Sequence, residues 1–115
     1  DARLIIQVLV NLINNAIKYT HENSNISLNA RRVEDKILIE VQDDGNGVLH
    51  PDQLFEMFYT ENNRGGDTRR GMGLGLSLCK SIIQSHGGTI WVENVTPHGA
   101  CFKFVLDAVE VKLYE

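Results

Sequence analysis

The sequence predicts an α+β fold, a two-layer sandwich in which a β-sheet is covered on one face by about three helices. Apolar residues recur at helical spacing in two long segments, 3–20 and 74–86. Four other segments alternate between apolar and polar residues, as strands do, and they come in two pairs. The chain has 115 residues, of which 43% are hydrophobic, so it can build one core and we predict a single domain.

The first half of the chain predicts a helix followed by a β-hairpin. Residues 26–33 and 36–43 alternate in strand fashion on either side of a short turn at Glu34 and Asp35. The helix before them, over 3–20, has the i, i+3, i+4 spacing of an amphipathic helix at Ile5, Val8, Leu9, Leu12 and Ala16.

The second half begins with a predicted short helix over 51–58, with Pro51 in its first turn. The polar residues 59–72 predict a long loop, and loops of this length often form functional lids. A second long helix is predicted over 74–86, ending at a glycine cap, Gly87-Gly88. We expect its buried face to carry Leu78, Cys79, Ile82, Ile83 and His86.

The end of the chain predicts two more strands, 88–94 and 99–107, joined by a turn around Pro97. Residues 108–115 alternate like a further strand.

Composition excludes several classes of function. A net charge of −4 and a pI near 5.5 give no basic surface, so we expect neither nucleic-acid binding nor direct contact with an anionic membrane. No apolar run is long enough for a membrane span, and the N-terminus does not resemble a signal peptide, so we expect a soluble domain. Cys79 and Cys101 form no CxxC pair, and we expect buried thiols in a reducing compartment.

Three polar residues of the first helix fall on one stripe beside its apolar face. At about 100° per residue, Asn11, Asn15 and Lys18 align, whereas Asn14 falls on the other side of Leu12. Two carboxamides and an ammonium can present oxygen to Mg²⁺ and positive charge to phosphate. The alternative is an ordinary solvated helix face.

Asp43 ends the apolar face of the second predicted strand. Alternation places it on the same side as Ile37, Ile39 and Val41. Because carboxylates are rarely buried without a hydrogen-bonding partner, this position favours a ligand acceptor or a cap. An acidic turn is the alternative. Glycines follow within the stretch 43–47, and they allow a close approach of the backbone to a flat ligand.

Three alternating glycines precede the second long helix, within the segment GMGLGL at 71–76. The segment matches neither the phosphate-binding pattern GxxxxGK[ST] nor a dinucleotide-binding GxGxxG that directly follows a strand. Two interpretations remain open, a hinge without a ligand and a helix start whose free N–H groups bind phosphate.

Four segments, in this order, resemble a known family. NLINNAIKYT resembles the N box, DDGNG the first glycine box, FEMF the F box and GMGLGL the second glycine box of the catalytic ATP-binding domain of bacterial sensor histidine kinases. That superfamily includes gyrase, the heat-shock protein of ninety kilodaltons and MutL. The resemblance covers most of the chain and implies a Bergerat-type fold with a mixed sheet over 1–115.

The resemblance also implies roles for individual residues. Asn15 would bind Mg²⁺ with support from Asn11, Lys18 would meet phosphate, and Asp43 would accept the adenine amino group. Asn11 and Lys18 are the catalytic candidates, and Phe55 would help to anchor the start of the lid. Arg64 or Arg69 is an alternative to Arg70 as the lid cation. The implied nucleotide contacts are Asn15, Lys18, Tyr19, Asp43, Gly45, Gly47, Phe58, Arg70, Gly71, Gly73, Leu74, Gly75 and Leu76.

The implied function is binding of Mg²⁺–ATP and transfer of its γ-phosphoryl group to a histidine. Relatives that hydrolyse ATP carry Glu at the position of Asn11, as a base for water. The sequence has no phosphoacceptor box around His21, His50, His86 or His98, and it lacks the strand that precedes the N box in the family.

The expected partners are therefore a dimerisation and phosphoacceptor domain outside this chain and a response regulator. We expect the isolated domain to be monomeric and to form the cytosolic part of a membrane-anchored sensor. An ATP-hydrolysing relative and a non-catalytic binding module are the alternatives.

Overall fold

The computed structural model describes residues 1–18, 20, 23–56 and 75–107, and the structural statements below concern those residues. They form two helices and four strands. The elements are α1 (Ala2–Lys18), β1 (Ile26–Val33), β2 (Lys36–Asp43), α2 (Gly75–Ser85), β3 (Thr89–Asn94) and β4 (Ala100–Asp107).

The four strands form one sheet in the order β1-β2-β4-β3. Each neighbouring pair is antiparallel. The short β1–β2 and β3–β4 connections favour this pairing, because a parallel pair needs a long crossover. The predicted α+β sandwich is confirmed, but the described strands contain no parallel pair, so the mixed pairing implied by the resemblance is not found among them.

The helices and the sheet enclose one core. Val8 and Leu12 of α1, Ile83 of α2, and Val41 and Phe104 of the sheet are each at most 1% exposed. They belong to one cluster of buried residues that joins both layers. Neither helix of the described residues combines the length and apolar character that a membrane span requires.

The buried face of α2 differs from the prediction at Leu78, and His86, also predicted for that face, follows the helix and is half-buried. Leu76, Cys79 and Ile83 are buried, as is Ile82, whereas Leu78 is 46% exposed. Two residues correspond to about 200° around a helix, so Leu78 lies nearly opposite Leu76. Leu76 therefore sets the phase of the buried face, and the prediction for Leu78 was wrong.

The glycine cap of α2 is confirmed. Gly87 has a φ of +76°, in the region that favours glycine. The Gly88 amide donates to the Ile83 carbonyl at 2.9 Å and the Gly87 amide donates to that of Gln84 at 3.0 Å. These two bonds form a Schellman motif, which ends the helix and directs the chain into β3.

The described part of the predicted helix over 51–58 is a series of turns. The Gln53 amide donates to the His50 carbonyl and the Glu56 amide to that of Gln53, both at 3.0 Å. These are single i→i+3 bonds, and so short a segment gains too few bonds to offset the cost of starting an α-helix. Leu54 and Phe55 are nevertheless buried, so the segment is anchored to the core.

Candidate functional site

A pocket lies between α1 and the end of the sheet where β2 stops and β4 begins. Asp43 is the last residue of β2 and pairs in register with Ala100, the first residue of β4. Asn15 approaches from the side of α1. The pocket is lined by Asn15, Ala16, Asp43, Gly47, Val48, Ala100 and Phe102. The fold thus brings together the polar stripe of α1 and the acidic end of β2.

Asp43 is the one charged residue found buried in the described ranges, with an exposure of 8%. Its Oδ1 accepts a hydrogen bond from the Gly45 amide at 2.9 Å. Burial raises the pKa of Asp43, while hydrogen bonds from the Gly45 and Ala100 amides act in the opposite direction. The inward orientation predicted from the strand alternation is confirmed, and the carboxylate faces a pocket.

Asn15 presents an unpaired polar group to the same pocket. Its Nδ2 is buried and has no hydrogen-bond partner within the described part of the chain. A buried amide that lacks a partner costs free energy, so native structures rarely retain one without a role. Because the two ends of a carboxamide can exchange by rotation, the same side chain can offer either a donor or an oxygen to a ligand.

The two other residues of the α1 stripe lie in different surroundings. Asn11 Nδ2 donates to Cys79 Sγ at 3.7 Å and so connects α1 with α2. Burial raises the pKa of the Cys79 thiol, which keeps it neutral. Lys18 is exposed in the last turn of α1. Of the three residues, Asn15 is the one that lines the pocket.

The loop that follows Asp43 contains glycine for steric reasons. Gly47 has a φ of +81°, and a Cβ placed on it would lie 2.6 Å from Asn94 Oδ1 and 3.1 Å from the Gly99 carbonyl oxygen. A side chain here would therefore collide with the β3–β4 connection. Gly45 is buried beside Asp43 and donates its amide to that carboxylate.

Asn94 at the end of β3 and His98 of the β3–β4 connection hold this loop, and sequence reasoning missed both. Asn94 Oδ1 accepts from the Val48 amide at 2.8 Å and Asn94 Nδ2 donates to the Val48 carbonyl at 3.0 Å. His98 Nδ1 donates to the Asp44 carbonyl at 2.7 Å. Neither residue belongs to the four family-like segments, and only the pairing of β2 with β4 brings them near the loop.

Asp44 is held from the other side by the connection between α1 and β1. The Asn25 amide donates to Asp44 Oδ1 at 3.0 Å and Asn25 Nδ2 donates to Oδ2 at 3.3 Å. The bond from the Asn25 amide lowers the pKa of Asp44. The two adjacent carboxylates thus differ in role, since Asp44 is hydrogen-bonded to Asn25 and Asp43 faces the pocket.

Phe55 connects the pocket to the segment at 51–56. Its ring packs edge-to-face against Phe102, with the ring centroids 6.0 Å apart and the planes at 79°. Phe102 also lines the pocket. Phe55 thus ties the segment at 51–56 to the pocket, while the lid that it is expected to anchor lies outside the described residues.

Two predicted residues at the start of α2 are described. Gly75 is the first residue of the helix, and a Cβ placed on it would meet none of the described residues within 4 Å. Leu76 is buried in the core at 8% exposure. The remaining predicted residues lie outside the described ranges: Tyr19, Phe58, Arg64, Arg69, Arg70, Gly71, Gly73 and Leu74.

Comparison with known families identifies the class of protein to which this fold and pocket belong. Residues 1–110 match the family described as histidine kinase-, DNA gyrase B- and HSP90-like ATPases, and the chain belongs to this family. The resemblance inferred from the four sequence boxes is confirmed.

Within that family, the chain is similar to sensor histidine kinases. It is 46% identical over 110 residues to the adaptive-response sensory kinase SasA of Crocosphaera subtropica, covering 92% of this chain and 28% of SasA. It is 39% identical over 106 residues to the sensor protein KdpD of Clostridium acetobutylicum, covering 90% of this chain and 12% of KdpD. The chain thus spans a small part of these relatives.

The chain is also similar to solved structures of the histidine kinase ThkA. The nucleotide-free catalytic domain of ThkA matches with a TM-score of 0.80 and 35% identity, covering 94% of this chain and 69% of that one. ThkA in complex with the response regulator protein TrrA matches with a TM-score of 0.73 and 34% identity, covering 90% of this chain and 28% of that one.

Proposed function

We propose that this chain binds Mg²⁺–ATP and donates the γ-phosphoryl group to a histidine on a separate dimerisation domain, as part of a two-component signalling protein. One observation carries the proposal. A buried carboxylate, Asp43, lines the same pocket as Asn15, whose buried Nδ2 has no partner among the described residues, in a chain of the ATPase family.

Asp43 would bind the adenine amino group. An ionised carboxylate can accept about four hydrogen bonds. The Gly45 and Ala100 amides supply two, so capacity remains for the amino group. Because the carboxylate is buried, this bond would form in surroundings of low polarity, where a misplaced or missing donor is costly. The base would lie against Val48 and Phe102, which supply apolar surface.

Asn15 would serve the phosphate end of the pocket. Its unpaired buried Nδ2 could donate to an oxygen-rich ligand. After rotation of the carboxamide, its oxygen could bind Mg²⁺, which prefers oxygen ligands. When bound, Mg²⁺ would offset the negative charge of the phosphates. Lys18, at the exposed end of α1, would add a positive charge. Asn11 contacts Cys79, so its supporting role would be to hold α1 against α2.

The identity of residue 11 favours transfer to histidine over hydrolysis. Asn11 carries no carboxylate, so this position cannot act as a general base for water. A neutral imidazole is already nucleophilic and needs no such base. The protein would then contribute mainly by positioning ATP and by neutralising charge, as is general for phosphoryl transfer.

The proposed partners follow from the relatives. The chain spans 28% of SasA, and we place the phosphoaccepting histidine on a dimerisation domain outside it. A response regulator would receive the phosphoryl group, consistent with the complex of ThkA and TrrA. We further propose a cytosolic location and a monomeric isolated domain.

Phosphotransfer by the full kinase that contains this chain tests the function. With Mg²⁺ and ATP labelled at the γ-phosphate, we expect an acid-labile, alkali-stable label on the dimerisation domain. The same protein with Asp43→Ala should be labelled much more slowly. Absence of label in the wild type would reject the kinase, and steady phosphate release by this chain alone would identify a hydrolase instead.

A further inference from the structure

We propose that Asn94 is a positioning residue for the nucleotide pocket, which it shapes by holding the backbone of Gly47 and Val48. The inference rests on the proposed function, since it assumes that adenine occupies this pocket. Asn94 is the last residue of β3 and belongs to none of the four family-like segments. It would act through the loop rather than by touching the reacting atoms.

Both ends of the Asn94 carboxamide bind the same residue. Oδ1 accepts from the Val48 amide at 2.8 Å and Nδ2 donates to the Val48 carbonyl at 3.0 Å. This paired geometry resembles one rung of a β-ladder and fixes both the position and the rotation of the Val48 backbone. Because Val48 and Gly47 line the pocket, Asn94 determines where that wall lies.

The packing at Gly47 shows how closely the Asn94 side chain approaches this wall. A Cβ on Gly47 would lie 2.6 Å from Asn94 Oδ1. Only a residue without a side chain fits here while Asn94 Oδ1 keeps its bond to the Val48 amide. The side chain and the glycine therefore complement each other, and loss of the carboxamide would remove the two hydrogen bonds that hold this wall of the pocket.

The register of the sheet connects Asn94 to Asp43. Ala100 pairs with Asp43 on one side and with Asn94 on the other, so the three residues form one row across β2, β4 and β3. The amide of Ala100 also donates to the Asp43 carboxylate. The acceptor for adenine and the residue that holds the opposite wall are thus fixed by the same row of the sheet.

The chemistry of this position requires a carboxamide. Ala would lose both bonds to Val48. Asp would keep an acceptor for the Val48 amide, but its second oxygen would face the Val48 carbonyl oxygen and repel it. We therefore expect Asn94→Asp to weaken ATP binding less than Asn94→Ala does, and neither variant to match the wild type.

Calorimetric titration of this chain tests the proposal with two nucleotides, ATP and purine riboside triphosphate, which lacks the amino group. The measured quantity is the ratio of their dissociation constants, which reports how well the base is placed against Asp43. We expect Asn94→Ala to weaken ATP binding roughly five- to thirtyfold and to reduce this ratio toward one. Asn29→Ala, an exposed asparagine of β1, is the matched control and should change neither quantity.

A purely structural role would give a different pattern. If Asn94→Ala lowers the unfolding temperature and weakens both nucleotides equally, with the ratio unchanged, the positioning role is rejected. If that variant does not fold, Asn94→Asp is subjected to the same comparison and decides in its place. Failure of the wild type to bind ATP would reject the proposed function itself. If the wild type binds ATP but the ratio of the two dissociation constants is the same in both variants as in the wild type, this inference alone is rejected.

Discussion

The two ends of the pocket differ in how far the protein already satisfies their hydrogen bonds. At the end formed by β2, Asp43 accepts from the Gly45 and Ala100 amides, and Asn94 and His98 hold the following loop. At the end formed by α1, the Nδ2 of Asn15 is buried without a partner. The hydrogen bonds of the sheet end are supplied by the fold, whereas Asn15 Nδ2 at the α1 end is left for the proposed ligand.

This difference predicts how the two ends respond to substitution. Changes at the sheet end should alter the stability of the nucleotide-free domain together with the recognition of the base. Changes at Asn15 should leave that stability nearly unaffected and should alter nucleotide binding in a metal-dependent way. The predictions that follow test this division, beginning with the largest expected effect.

Gly99→Ala should damage the sheet end most. Gly99 has a φ of +125°, and a Cβ on it would overlap the Asp43 carbonyl oxygen. The combined strain and overlap should lower the free energy of unfolding by about 2–5 kcal/mol in urea titrations. Gly75→Ala is the matched control, since space is open around that Cβ. Equal stability of the two variants would contradict the close approach of the loop and the β3–β4 connection.

Asp43→Asn should reduce affinity without unfolding the domain. An amide in place of the carboxylate leaves the adenine amino group poorly paired, which should cost about 1–3 kcal/mol, or about five- to 150-fold in affinity. Titration with a fluorescent ATP analogue measures this loss. Wild-type affinity in the variant would refute the assignment of Asp43 to adenine.

Asn15→Ala should separate metal-dependent from metal-independent binding. We expect ATP affinity to fall by roughly five- to thirtyfold with Mg²⁺ present and much less with a chelator, since the variant removes an oxygen donor. The unfolding temperature should change little, because Asn15 Nδ2 has no partner to lose. Asn14→Ala, one residue away and exposed, is the control. Equal losses with metal and with chelator would reject Asn15 as a metal ligand.

The smallest expected effect is a pH dependence of stability at Asp43. Burial raises the pKa of Asp43 above its ordinary value of about 4. The folded state therefore holds this proton more tightly than the unfolded state, and the stability so gained is present below pH 4 and is lost as the pH rises through the raised pKa. Urea titrations across this window should show that loss in the wild type and a flatter profile in Asp43→Asn. Identical profiles would contradict the raised pKa.

Local patterns in the sequence were sufficient to predict the parts of this fold that depend on neighbouring residues. The hairpin, the two long helices and the inward side of Asp43 follow from periodicity within each segment. The Gly87 cap follows from the conformational freedom of glycine at a helix end. These features need no knowledge of distant contacts.

The features that sequence reasoning missed arise from long-range packing. Asn94 and His98 contact the loop after β2 only because β4 pairs with β2 across more than fifty residues of chain. The phase of α2 was misjudged at Leu78, since the core at Leu76 decides which side of that helix is buried. Residues 51–56 form turns rather than a helix, because so short a segment gains too few hydrogen bonds to offset the cost of starting an α-helix.

The most direct test of the account is a thermodynamic cycle that crosses Asp43→Ala with removal of the adenine amino group. Dissociation constants are measured for ATP and purine riboside triphosphate with the wild type and with the variant. If Asp43 binds the amino group, its removal should weaken binding about fivefold or more in the wild type and should have little effect in the variant. An equal loss in both proteins would contradict the claim that adenine binds at Asp43.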